Sequence, residues 1–361
     1  PVVELIGDKR GRVVPIYPQS EKAGLSTWEI AGWVEQVLRR SAIRGIADPL
    51  PQAVLDHVDV VDRQAALKGI HAPESMEEVA AARKRLVFDE LFRIQLALVL
   101  RKQAYERSAL GIRHDTSGAL VDRFLERLPF ELTPPQQRAI AEITADLASP
   151  HPMHRLLQGD VGSGKTVVGV AAMLTAVQGG HQGALMAPTE VLAEQHAMNI
   201  RALLDGFTVA GGAGAGMLFD ERPLAVELLT NRTTAKERER LLVGLADGLG
   251  DIVIGTHALL EEGIRFKSLG VVVIDEQRRF DAEQHAALRD KGAGGTVPDV
   301  LVMTATPIPR TAAMTVYGDL DVTTIEGKPP GRQRIRTVWE QSADVVWPDV
   351  LEEVAAGHQA Y

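Results

Sequence analysis

The sequence predicts an α/β protein organised around a parallel β-sheet that presents a phosphate-binding loop, preceded by a helical region and a short β-rich segment. Three observations carry this. From Leu132 onward, short apolar runs alternate with helix-length segments, the pattern of strands joined by crossover helices. Between an apolar segment (Leu156, Leu157) and a long apolar helix pattern stands Gly159-Asp160-Val161-Gly162-Ser163-Gly164-Lys165-Thr166, which fits G-x-x-x-x-G-K-[ST]. Asp275-Glu276 follows the apolar run 271–274, so both carboxylates emerge at the carboxyl end of a strand, where open α/β sheets bind ligands.

The bulk properties set limits. The chain has 361 residues, enough for two or three domains, and its 45% hydrophobic and 24% charged content is ordinary for a soluble globular protein. No run of 18 apolar residues occurs, so no membrane span is expected, and the opening PVVELIGDKRGR is charged too early for a signal peptide. The absence of cysteine excludes disulfides and cysteine-ligated zinc and suits a cytoplasmic protein. The net charge of −9 is unevenly spread. Residues 1–130 hold 19 Lys+Arg and 18 Asp+Glu, whereas residues 131–361 hold 20 and 30. With no basic tail or stripe, any nucleic acid must be held in a local groove.

Taken in order, residues 1–20 read as the end of a β-domain. Val2-Val3-Glu4-Leu5-Ile6 and Arg12-Val13-Val14-Pro15-Ile16-Tyr17 are β-like runs around Gly7-Asp8, and two strands alone are marginal in water. Residues 21–130 read as helical. One helix opens at Thr27-Trp28-Glu29-Ile30 and runs to Arg40; Pro49 and Pro51 interrupt; a long helix follows from Pro73. Its basic residues (Arg83, Lys84, Arg85, Arg93, Arg101, Lys102) read as a solvated face, with a DNA-facing side as the sharper alternative. Residues 131–325 form the α/β unit, with strands at 183–187, 225–229, 251–255, 270–274 and 300–303 and helices at 190–204, 235–246 and 282–289. The Gly-rich stretch 211–216 reads as a loop. Residues 326–361, with Pro329-Pro330-Gly331, read as a linker and the start of a further domain.

The chemistry follows from the residue types. Gly162 and Gly164 allow positive φ and a backbone approach without Cβ atoms, so the amides form an anion nest at a helix N-terminus. Lys165 reaches the β- and γ-phosphates and the Thr166 hydroxyl sits on Mg²⁺. Asp275 holds the same ion through water, and Glu276 orients and deprotonates the attacking water.

Together these segments resemble the superfamily 2 helicases, specifically the RecG-type branched-DNA helicases. RLLQGDVGSGKT, ALMAPTEVLAEQH, DIVIGTHALLEE, VVVIDEQRRF and LVMTATPIPRTAAMTVYGDLDV occur in that family's order, and GIHAPES, ARKRLVFDELF and LPFELTPPQQR match its helical region. The resemblance implies a RecA-like helicase domain behind a helical linker and the last strands of a wedge (OB-like) domain. It also implies an ATP- and Mg²⁺-dependent double-stranded DNA translocase that regresses forks and migrates Holliday junctions in repair and recombination. Branched DNA is the implied partner, with single-strand-binding protein as a further one, no membrane, and a monomeric state.

By this resemblance Gln136 reads adenine, although Thr133-x-x-Gln136 is also a capping box with Pro134 at the first helical position; both roles can hold. Pro188, Thr189 and Glu190, and Gly255, Thr256 and His257, match motifs touching the DNA backbone, while an ordinary structural histidine is an equal reading of His257. Thr304-Ala305-Thr306 matches the motif that couples ATP state to DNA grip, supported by Arg310 and Thr311. Where the family has DEQH this chain has Asp275-Glu276-Gln277-Arg278; arginine cannot alternate between donor and acceptor, so γ-phosphate sensing at Arg278 is expected to differ. Arg278-Arg279-Phe280 leans toward the transcription-repair coupling translocase, the alternative motor, and a nucleotide-binding scaffold is the alternative of another class. The family's second RecA-like domain and its arginine finger match nothing in these residues, which by themselves are expected to bind Mg-nucleotide weakly and hydrolyse it negligibly.

Overall fold

The structure, a computed structural model, describes residues 5–6, 13–19, 22, 24–210, 221–261, 263–275, 293–305, 320–327 and 337–360. Glu276, Gln277, Arg278, Thr306, Arg310 and Thr311, the helix expected at 282–289, the glycine stretch and Pro329-Pro330-Gly331 lie outside the described residues.

The chain opens with β1 (Leu5–Ile6) paired antiparallel to β2 (Val14–Pro15), the hairpin expected there, though only two residues per strand are paired. Helix α1 (Thr27–Arg44) begins in a capping box. Ser26 Oγ accepts from Glu29 N at 3.4 Å and Glu29 Oε2 accepts from Ser26 N at 2.9 Å, satisfying two N-terminal amides. It runs one turn beyond the expected Arg40 and ends at Gly45, whose φ of 71° glycine adopts without strain. Two short helices that the sequence did not announce follow, α2 (Gln52–Val58) and α3 (Arg63–His71), then α4 (Met76–Ser108).

The expectation of a solvated basic face on α4 fails at Arg85. Its side chain is wholly buried, bidentate to Asp48 at 2.8 Å, with Nε on Asp89 Oδ1 at 2.9 Å and Nη1 on the Val61 carbonyl. Arg85 therefore clamps α4 to the loop ahead of α2 and to the turn between α2 and α3. The planar five-donor guanidinium suits this; sequence periodicity cannot distinguish such an arginine from a surface one. Lys84 and Lys102, by contrast, make partly exposed pairs with Asp59 and Asp321.

From the end of α4 a strap crosses to the sheet. Gly111 N donates to the Pro150 carbonyl, Val297 N to the Leu110 carbonyl, and His114 Nε2 meets Asp299 at 2.8 Å in full burial. Burial holds the Asp299 carboxyl above its usual range. Helices α5 (Ala119–Glu126) and α6 (Pro134–Leu147) lead into β3 (His154–Gly159) and α7 (Lys165–Gln178). Then come β4 (Gln182–Met186), α8 (Glu190–Leu203), the antiparallel pair β5 (Thr208–Ala210) and β6 (Glu221–Pro223), β7 (Val226–Leu229), α9 (Ala235–Asp247), β8 (Ile252–Gly255), β9 (Leu269–Asp275), β10 (Asp299–Thr304), β11 (Asp321–Ile325) and a last helix, α10 (Trp347–Ala355).

Seven strands form one sheet in the order β11-β3-β10-β9-β4-β8-β7, each pair parallel. The two-residue pleat splits adjacent apolar residues between faces. Leu157, Val273 and Leu301 join the layer under α5, α6, α7 and α8, while Leu156, Val272 and Val302 join the layer under α9. All of 167–177 in α7 is buried, which explains why the phosphate-loop helix is apolar on every side. The parallel α/β sheet expected from the sequence is thus present. Two elements escaped the pattern: the β5–β6 pair and the edge strand β11, whose short, Thr-rich run gives little apolar signal.

Candidate nucleotide and nucleic-acid site

Because the sheet is parallel, every strand delivers its last residue to the same edge, and the strand order divides that edge in two. The carboxyl ends of β3, β10 and β9 are contiguous, with Gln158 level with Thr304 and Met303 level with Asp275. The phosphate loop, Thr304-Ala305 and Asp275 are thereby neighbours in that order. The carboxyl ends of β4, β8 and β7 carry Pro188-Thr189-Glu190, Gly255-Thr256-His257 and the Thr230-Asn231-Arg232 turn.

In the loop, Gly162 and Gly164 take φ of 79° and 85°, the left-handed region that glycine enters without strain. Gly164 caps α7, so Lys165 and Thr166 form its first turn and the amides there face outward as anion donors. A Cβ on Gly159 would stand 2.5 Å from Ser163 Oγ, and one on Gly164 would stand 2.3 Å from Gln136 Nε2. Ser163 Oγ is itself buried without a hydrogen-bond partner, a polar atom waiting inside an anion-shaped cradle. Lys165 Nζ donates to the Gly159 and Asp160 carbonyls at 2.8 and 3.0 Å, and a phosphate would compete with these neutral acceptors for the same ammonium.

Gln136 serves the loop directly. Its Oε1 accepts from Thr133 N at 2.8 Å, the reciprocal half of the capping box, and its Nε2 donates to the Ser163 carbonyl at 2.8 Å. One buried amide therefore joins the start of α6 to the phosphate loop. Beside it a cavity is lined by Phe130, Glu131, Thr133, Gln136, Ile325 and Glu326. Phe130 is about half exposed there, at 48%. Phe130 and Ile325 were not singled out from the sequence. The only signal was the position of Phe130 ahead of the Thr133 cap, and nothing placed β11 against β3.

At the other end of this row, Asp275 Oδ2 accepts from His196 Nε2 at 2.7 Å, both side chains almost buried. His196 was also not identified as a site residue; it lies 79 positions away, and only the fold brings α8 beneath the strand end. Among the described residues no cluster of three or more His, Asp or Glu side chains could hold a metal. The donors on offer, the Thr166 hydroxyl and one carboxylate, are hard oxygens of the kind that take Mg²⁺ together with substrate phosphates rather than in a protein cage. The residues fit that ion.

On the other half of the edge, Thr189 caps α8, its Oγ1 accepting from Leu192 N at 3.3 Å. Ala187 N donates to the Gly255 carbonyl at 2.8 Å, tying the Pro188 and Thr256 loops together. Glu190 is turned toward the neighbouring loop, accepting from Asn231 N at 3.2 Å and pairing with Arg232. Thr256 is buried and His257 exposed.

A glycine loop at a helix N-terminus, with a strand-end carboxylate two strands away on a parallel sheet, defines a P-loop nucleotide-binding domain of the RecA-like kind. The sequence profile of the DEAD/DEAH box helicases matches residues 133–315, and the chain belongs to that family. It is 44% identical over 357 residues to the ATP-dependent DNA helicase RecG of Synechocystis sp., covering 98% of this chain and 40% of that protein. It is 42% identical over 351 residues to the Bacillus subtilis protein of the same name, covering 97% and 48%. A solved structure of RecG bound to a three-way DNA junction superposes with a TM-score of 0.72 at 39% identity, covering 96% of this chain and 44% of that one. The resemblance to RecG-type helicases is borne out, and the chain spans about half the length of the curated relatives it matches.

Proposed function

We propose that this chain is the ATP-binding motor portion of a RecG-type DNA helicase, a cytoplasmic, monomeric double-strand translocase that uses ATP hydrolysis to regress forks and migrate Holliday junctions in repair and recombination. The observation that carries this reading is the contiguous row of phosphate loop, Thr304-Ala305 and Asp275 beside a second row of strand-end loops, Thr189 and Thr256 among them. The RecG relatives and the RecG structure solved on a three-way junction support branched DNA as the substrate. Single-strand-binding protein is a further partner in this reading.

In this reading Lys165 leaves the Gly159 and Asp160 carbonyls for the β- and γ-phosphates, and the loop amides and Ser163 surround the anion. Gln136 has one amide hydrogen on Ser163; its other can read an adenine edge, with the base lying against Phe130. Mg²⁺, when bound, neutralises charge between the phosphates, and Thr166 and Asp275 would hold it. Glu276 orients the attacking water and takes its proton. Thr304 and Ala305 lie at the end of the strand between Asp275 and the loop, and in this reading they act with Thr306 to pass a change at the γ-phosphate to the DNA-facing half. Thr189, Gly255, Thr256 and His257 offer amides, hydroxyls and a ring to the DNA backbone, contacts that position without reading sequence.

ATP hydrolysis by the complete protein with forked DNA, linear duplex and no DNA tests this. Turnover should be highest with the fork. Equal turnover in all three would leave a nucleotide-binding scaffold as the better account, and a requirement for stalled RNA polymerase would indicate the coupling translocase.

A further inference from the structure

Helix α8 touches both halves of the sheet edge. Its core face, Ala193, Ala197 and Ile200, is fully buried, which fixes the helix on the sheet. Its first turn carries Thr189 and Glu190; Glu190 and Glu194, one turn apart, both engage Arg232 of the neighbouring loop, at 3.6 and 3.2 Å. Six residues beyond Glu190, His196 reaches the opposite way to Asp275.

The carboxylate of Asp275 has only acceptor atoms, so the proton in the 2.7 Å contact sits on His196 Nε2 and the ring donates. A hydrogen bond to one carboxylate oxygen selects the side-chain rotamer and directs the second oxygen. Both side chains are nearly buried, at 13% and 14% exposure, so water does not replace this donor freely.

We propose that His196 is a positioning residue for the strand-end carboxylate. By holding Oδ2 it aims Oδ1 at the Mg²⁺ shell. Because α8 also carries the Thr189 turn, the DNA-facing loop and the metal-facing carboxylate move as one body. The inference rests on the reading of Asp275 as an Mg²⁺-organising residue.

The test compares two amides. In His196→Gln the side-chain nitrogen reaches about as far as Nε2, whereas in His196→Asn it stops near the position of Nδ1. The readout is Mn²⁺ binding to the ADP complex of the complete protein by electron paramagnetic resonance, with ADP affinity in EDTA and thermal unfolding measured alongside. Outer-shell partners of metal ligands typically contribute about 10–100-fold in metal affinity. His196→Asn should therefore weaken Mn²⁺ about tenfold, with ADP affinity in EDTA unchanged, while His196→Gln stays within about threefold of the parent. The proposal is overturned if both variants bind Mn²⁺ like the parent, or if both lose it equally, since the ring would then only fill space. Asp275→Asn in the same assay separates the two ideas. If it leaves Mn²⁺ binding unchanged, the reading of Asp275 is wrong, whatever His196 does.

Discussion

Replacing Gly164 by alanine tests the phosphate loop at its tightest point. Gly164 sits at φ 85°, where an L-residue costs about 1–2 kcal/mol. Its new Cβ would also stand 2.3 Å from Gln136 Nε2, so the Gln136–Ser163 hydrogen bond must break, a further loss of about 0.5–1.5 kcal/mol. The loop can relieve both by moving, but nucleotide binding must then re-impose the original geometry. The penalty of about 1.5–3.5 kcal/mol therefore appears as a roughly 10- to 300-fold weaker affinity for ADP.

Gly180 supplies the control. It has φ 81° and no atom within 4 Å of the position of a Cβ, and it lies just past the far end of α7. Gly180→Ala should lose about 1–2 kcal/mol of stability from the backbone alone and bind ADP normally. Calorimetric titration and thermal unfolding of both variants decide the matter. If Gly164→Ala binds ADP within threefold of the parent, or Gly180→Ala weakens it equally, the coupling of Gln136 to the loop is not what shapes this site.

Further outcomes follow from the same geometry. Lys165→Ala should change stability by no more than about 0.5 kcal/mol, since its ammonium donates to the Gly159 and Asp160 carbonyls at the rim of the loop, while lowering ATP turnover of the complete protein by about 10²–10³-fold. Arg85→Met deprives the Asp48 and Asp89 carboxylates of their shared cation, and denaturant unfolding should register a loss of about 3–5 kcal/mol. The Arg85 guanidinium holds the Asp48 carboxyl well below its ordinary value of 3.8, so the unfolded chain binds that proton more tightly. The stabilisation is complete above pH 3.8 and is lost as acid is added below it, and Asp48→Asn should flatten that part of the stability profile. Gly111→Ala would place a Cβ 2.6 to 2.8 Å from backbone atoms of Pro150, His151 and Pro152, and overpacking of about 1–3 kcal/mol should lower the melting temperature without altering ADP affinity.

Much was legible without coordinates because it is local. The glycines of the phosphate loop, the Thr133 capping box, the alternation of apolar strands with helices and the emergence of Asp275 from a strand are properties of residues within a few positions of each other, and each appears as expected. What the sequence could not decide is which distant residues meet. The strand order sets the loop and Asp275 on either side of Thr304, with intervals of 116 and 29 residues from Gly159 to Asp275 and from Asp275 to Thr304 closed only by parallel pairing. Arg85 reads as one more surface cation on a long helix until Asp48 and Asp89 are seen around it. His196 reads as a helix residue until the sheet brings Asp275 within 2.7 Å. The physical reason is common to both. Periodicity and spacing report the conformation of a segment, whereas burial of a charge or the aim of a donor depends on the three-dimensional packing that places another segment against it.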